Sequence, residues 1–144
     1  MQEKGTRPIQ AKRKWKSIAF INKNKVMKSF TDIEQSKKLA EILPIESADM
    51  FYTSLNRDYP WIWIDKHLME VDDIPCWSLA TLFELLPKEI NVLGTIYSIN
   101  IHTNNKKWSI DYKCNNEEFV GVYSSSLVDA CVEMIVKLKE NNLL

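Results

Sequence analysis

The chain has 144 residues, 45% of them apolar and five of them tryptophan, a composition that excludes a globally disordered protein. No apolar run reaches the roughly 20 residues of a membrane span, and three cysteines without a close pair argue against a disulfide framework and for the cytoplasm. The net charge of zero is unevenly spread: residues 1–26 carry eight Lys/Arg against one acid (+7), and residues 27–144 carry 11 basic and 18 acidic groups (−7).

Residues 1–26 read as a basic, mobile arm, with Gly5, Pro8 and little periodicity. Residues 17–21 form its only apolar patch, read as a short strand. The patch is too short for a signal-peptide core and no small-residue cleavage site follows it. Lys12, Arg13, Lys14, Trp15 and Lys16 have the composition of a phosphate-contacting arm with one aromatic to stack on a base. The arm admits three readings: a nucleic-acid or membrane tail, a targeting segment, or sequence upstream of a true start at Met27.

At Met27 the character changes. Thr31, Asp32, Ile33 and Glu34 form a capping-box pattern, and the helix it opens has Ile33, Leu39, Ala40, Ile42 and Leu43 as buried candidates before Pro44 ends it. Residues 56–60 are a loop. Trp61, Ile62, Trp63 and Ile64 are read as a buried or edge strand entered at Pro60, with Trp61 and Trp63 as candidate partner-binding residues because tryptophan is enriched at interface hot spots.

The core unit spans residues 74–144 and reads helix, three strands, helix. The first helix starts between Ile74 and Ser78, presents Leu79, Leu82, Phe83 and Leu86 on one face, and ends at Pro87. Tyr97, Ile99 and Ile101 alternate with Ser98, Asn100 and His102; Trp108, Ile110 and Tyr112 alternate with Ser109, Asp111 and Lys113. That period of two predicts a sheet with one wet face. Asn104–Lys107 and Asn115–Asn116 are turn signals, and Gly121 marks a bend or bulge in the third run, Phe119 to Tyr123. Ser126 caps the closing helix, with Leu127, Ala130, Cys131, Met134 and Leu138 on one stripe and Lys137 and Lys139 near its carbonyl end. The fold class is therefore α+β: an antiparallel sheet of three or more strands with helices on one face. Residues 27–144 are expected to form one domain.

Chemistry is sparse. His67, His102, Cys76, Cys114 and Cys131 are scattered without metal-ligand spacing, so no metal or other cofactor is expected. Asp72 and Asp73 read as a solvated turn. Paired with His67 or His102, Cys76, near a helix start, is the best nucleophile candidate, although no enzyme signature accompanies it. Three glycines, at 5, 94 and 121, make no phosphate-cradling loop.

Residues 27–44, Ile74 to Leu79, Leu85-Leu86-Pro87 and Val128 to Ile135 together resemble an uncharacterised family of short proteins from gut anaerobic bacteria, associated with phage or mobile elements. The resemblance covers about residues 27–144 and implies a cytoplasmic, mobile-element setting without implying an activity. The order helix, three strands, helix is also that of the double-stranded RNA-binding domain, which holds phosphates with lysines at its last helix; here that position reads Ser124 to Asp129 with no base. The preferred expectation is a non-enzymatic interaction or accessory protein. The alternatives are a nucleic-acid-binding protein using Lys12–Lys16 and, last, an enzyme using Cys76.

Overall fold

The computed structural model describes residues 27–64 and 69–144. Among these, three helices are α1 (Ile33–Ile42), α2 (Leu79–Leu85) and α3 (Leu127–Glu140), with one 3₁₀ turn at Ile45–Ser47. The strands are β1 (Met50–Tyr52), β2 (Trp61–Ile62), β3 (Ile74–Cys76), β4 (Glu89–Val92), β5 (Thr95–Asn104), β6 (Lys107–Cys114) and β7 (Glu117–Ser124). They form two antiparallel sheets, one ordered β2-β1-β3 and one ordered β4-β5-β6-β7. The architecture is α+β, as the sequence pattern predicts.

Local chemistry sets the ends of most elements. Asp32, not Thr31, is the N-cap of α1: its side chain accepts from Gln35 N–H while the Gln35 side chain accepts from Asp32 N–H. The capping box thus sits one residue later than the pattern Thr31-to-Glu34 predicts, and Thr31 is freed to enter the core at 0% exposure. Ser78 caps α2, and Ser126 caps α3 as expected. The three hairpins of the larger sheet turn on two-residue loops with both residues at positive φ: Leu93-Gly94, Asn105-Lys106 and Asn115-Asn116. This is the turn hand that matches strand twist.

Three elements differ from the sequence reading. Residues 74–76 are a strand, not a helix start, because Ile74, Pro75 and Cys76 pair with Tyr52, Phe51 and Met50. β4 is a fourth strand hidden from periodicity, since its four residues contribute one fully buried apolar side chain, Ile90. The irregularity in β7 lies opposite Tyr112 and Lys113, where Phe119 is the unpaired extra residue; Gly121 pairs with Asp111 in regular register.

One apolar cluster joins both sheets, from Leu39 and Leu43 through Trp77, Leu82 and Ile90 to Ile110, Tyr112, Val122 and the inner face of α3. That face is wider than the predicted stripe: Val128, Val132 and Ile135 are buried beside Ala130, Cys131, Met134 and Leu138. α3 packs on β6, β7, α1 and α2, which places the helix layer on one face of the larger sheet. Tyr112 fixes the sheet to the end of α2 by donating its O–H to Pro87 O at 2.6 Å. Lys137 donates to Gly121 O at 3.2 Å on the outer strand β7. None of the described helices is long and apolar enough to cross a membrane.

Candidate interaction surface

The small sheet carries the most exposed apolar side chains near a strand edge. Pro60 has no N–H, and pairing begins at Trp61, which faces Phe51 while Ile62 faces Met50. Trp63 then turns inward: its N–H donates to Asp49 O at 2.9 Å, and its ring lies 6.1 Å from that of Phe51, tilted by 60°. The structure therefore divides the predicted tryptophan pair, for Trp63 is 8% exposed and belongs to the core while Trp61 is 57% exposed. Ile62 is 73% exposed, and Ile64, Leu55, Tyr59 and Val71 are also open to solvent. Among the described strands β2 and β3 are the two outer ones of this sheet, and β2 is the one that carries the exposed Trp61 and Ile62. Outer strands are ordinarily guarded by charged side chains. Residues 59–64 hold none, and Pro60 is the one guard in this stretch. Covering Trp61 and Ile62 would each yield about 1.5–3 kcal/mol of apolar burial.

Cys76 sits in a closed polar knot. It is 0% exposed, and its S–H donates to Thr31 O at 3.4 Å while the Thr31 hydroxyl donates back to Sγ at 3.4 Å. Trp77 N–H donates to Thr31 Oγ1 at 3.1 Å, the Thr31 and Ser36 hydroxyls meet at 2.7 Å, and Tyr52 donates to Thr31 O at 2.6 Å. Burial pushes the Cys76 thiol above its ordinary range, against the pull of its hydrogen bonds to Thr31, Ser36 and Tyr52. Burial, followed by the charge of a Cys76 thiolate, likewise raises the Tyr52 phenol. A nucleophile needs the thiolate and access; this thiol is held protonated and has no access. His102 is on β5 of the other sheet, and His67 lies outside the described residues. Cys131 is also buried, its thiol pushed up to about 12 by desolvation.

Asp73 accepts from Glu70 N–H at 2.8 Å and Arg57 donates to Asp72 O at 2.8 Å, so this stretch is a hydrogen-bonded turn. Among the described residues no three His, Cys, Asp or Glu side chains converge on a metal position. Lys12, Arg13, Lys14, Trp15 and Lys16, together with the apolar patch at 17–21, lie outside the described residues.

Sequence reasoning missed Ser109 and Asp111. Alternation assigns both to the wet face of β6, yet each is 1% exposed, and among the described residues Ser109 Oγ and Asp111 Oδ1 have no hydrogen-bond partner. Their cross-strand neighbours, rather than their place in the sequence, enclose them: His102 and Tyr123 flank Ser109, and Asn100 and Gly121 flank Asp111. No signal in the linear pattern distinguishes them from Ser98 or Asn100, which are exposed. Comparison of the chain with family models, curated proteins and solved structures finds no match.

Proposed function

We propose that this is a non-enzymatic interaction protein that docks an extended segment of a partner protein along β2. The observation that carries this reading is the exposure of Trp61 and Ile62 on an outer strand without charged guards. An added strand takes its affinity from backbone hydrogen bonds and its specificity from alternate side chains. The aromatic at Trp61 is the anchor type that concentrates binding energy. The burial of Cys76 counts against the alternative that uses it as a nucleophile. Three free cysteines support a reducing compartment, the cytoplasm. An accessory role in a phage or other mobile element rests on the sequence resemblance alone.

The test is capture of host proteins on the immobilised chain, wild type against a Trp61→Ala, Ile62→Asp double variant that keeps its circular-dichroism spectrum. A specific partner retained by the wild type and lost by the variant is expected. Equal retention by both, or no specific partner, overturns the reading. Titration of chains 1–144 and 27–144 with duplex and single-stranded nucleic acids addresses the alternative: steeply salt-dependent binding by the long chain alone would assign that role to residues 1–26.

A further inference from the structure

The outer face of the larger sheet, away from the helices, contains a carboxylate with too few partners. Asp111 is 1% exposed at the centre of β6, flanked by β5 and β7. Among the described residues its Oδ1 has no partner, and its Oδ2 stands 3.6 Å from Lys113 Nζ and 3.9 Å from His102 Nδ1. Charge-assisted hydrogen bonds run at about 2.7–2.9 Å, so neither side chain completes one. His102 Nδ1 is also engaged by Asn100 Nδ2 at 3.3 Å. Two residues along the same face, Ser109 Oγ is buried and unpartnered as well. Native proteins rarely leave one buried polar atom unsatisfied, and here two share one face of one strand.

We infer that this face is a seat for a guanidinium group, the arginine side chain of a partner peptide, held between Asp111, Ser109 and Tyr123. Successive same-face residues on a strand stand about 6–7 Å apart, a spacing that a planar group with several N–H donors spans from Asp111 Oδ1 towards Ser109 Oγ. Tyr123 pairs with Ser109 in register and is 63% exposed, which leaves an aromatic face on which a guanidinium stacks. Gly121 pairs with Asp111, and its lack of a side chain matters: a Cβ there would collide with the Glu118 carboxylate, which folds back over the strand and adds a second negative group beside the seat. A compact ammonium is a poorer occupant, since Lys113 already offers one without reaching hydrogen-bond distance. An anion is repelled by the two carboxylates, and a nucleic-acid strand by the charge of −7 on residues 27–144. The side chains around the seat, Lys113, His102 and Glu118, are long or partly exposed, and they swing aside at the cost of surface rotamers only. This seat is separate from β2 and stands or falls independently of the docking reading.

The experiment is amide-resolved NMR of the full chain titrated with argininamide, with citrullinamide, whose side chain alone is the uncharged isostere, and lysinamide as the ammonium control. Saturable shifts at Ser109, Asp111, Gly121 and Tyr123 are expected, with a dissociation constant on the order of 1 mM for a fragment of this size. Binding should weaken about tenfold or more for citrullinamide and for Asp111→Asn, and several-fold for lysinamide and for Tyr123→Ala. Ser109→Ala, which removes no charge, provides the same readout if Asp111→Asn does not fold. Absence of saturable shifts, or argininamide binding that survives both Asp111→Asn and Ser109→Ala unchanged, overturns the inference.

Discussion

Replacing Thr31 by valine keeps the shape of the side chain and removes one hydroxyl. Where the hydroxyl's buried partners are left behind, such an exchange is costly, and here it should be severe. The Thr31 hydroxyl accepts from Trp77 N–H at 3.1 Å, meets Ser36 at 2.7 Å and donates to Cys76 Sγ at 3.4 Å, and Thr31, Ser36, Cys76 and Trp77 are all 0% exposed. Valine strands the Trp77 N–H and the Ser36 hydroxyl away from water. A buried group left without its partner costs about 1–3 kcal/mol. Ser36 lies in the first turns of α1 and can turn its hydroxyl to a backbone carbonyl, which recovers part of its share. The expected loss is therefore about 2–4 kcal/mol, large against the 5–15 kcal/mol typical of a domain. Thr31→Ser keeps the hydroxyl and loses a methyl, at about 1 kcal/mol. Valine, the more apolar variant, should be the less stable of the two. Urea unfolding with an unchanged slope measures both. If Thr31→Val proves as stable as Thr31→Ser or more so, the knot is not what joins α1, β1 and β3.

Three further outcomes are expected. Under native conditions an alkylating reagent should modify Cys114, which is half-buried, well before Cys76 and Cys131, which are buried and held protonated; faster labelling of Cys76 would reopen its candidacy as a nucleophile. Lys28 donates to Asp32 at 2.9 Å and to Asp129 at 2.8 Å. Burial opposes the Asp32 charge, but the Gln35 N–H and Lys28 outweigh it and hold its carboxyl below the ordinary value of 3.8. Its stabilisation is thus present above that value and lost as pH falls through the lower folded pKa; Lys28→Met should flatten that acid limb by less than about 1 kcal/mol, since the pair is partly solvated. Leu93 is fully exposed at φ 52°, in the first position of a turn that favours Asn-Gly, so Leu93→Asn should stabilise the chain by about 1 kcal/mol in the same urea assay. A destabilising result would show that Leu93 is held by contacts rather than strained.

What the sequence determined by itself is whatever acts within about four residues. Ser78 and Ser126 cap the helices they precede because a hydroxyl reaches the third amide on, whatever surrounds it. Asn105 and Asn115 turn hairpins because asparagine tolerates positive φ. The alternation in β5 and β6 identifies a sheet with helices on one face, and with it the α+β class. Tertiary structure decided what depends on partners distant in the chain. Thr31 reads as a cap by its neighbours and becomes the hub of a knot because β3 brings Cys76 and Trp77 against it, 45 and 46 residues away. Trp61 and Trp63 are equivalent in sequence; Trp61 pairs with Phe51 through the backbone and stays exposed, while Trp63 brings its ring to 6.1 Å from that of Phe51 and joins the core. β3 and β4 are too short to show a period, and only pairing with β1 and β5 makes them strands. Asp111 belongs to the wet half of an alternating pattern, yet it is buried between the two neighbouring strands β5 and β7. Burial depends on the three-dimensional neighbours of an atom, which sequence spacing does not encode.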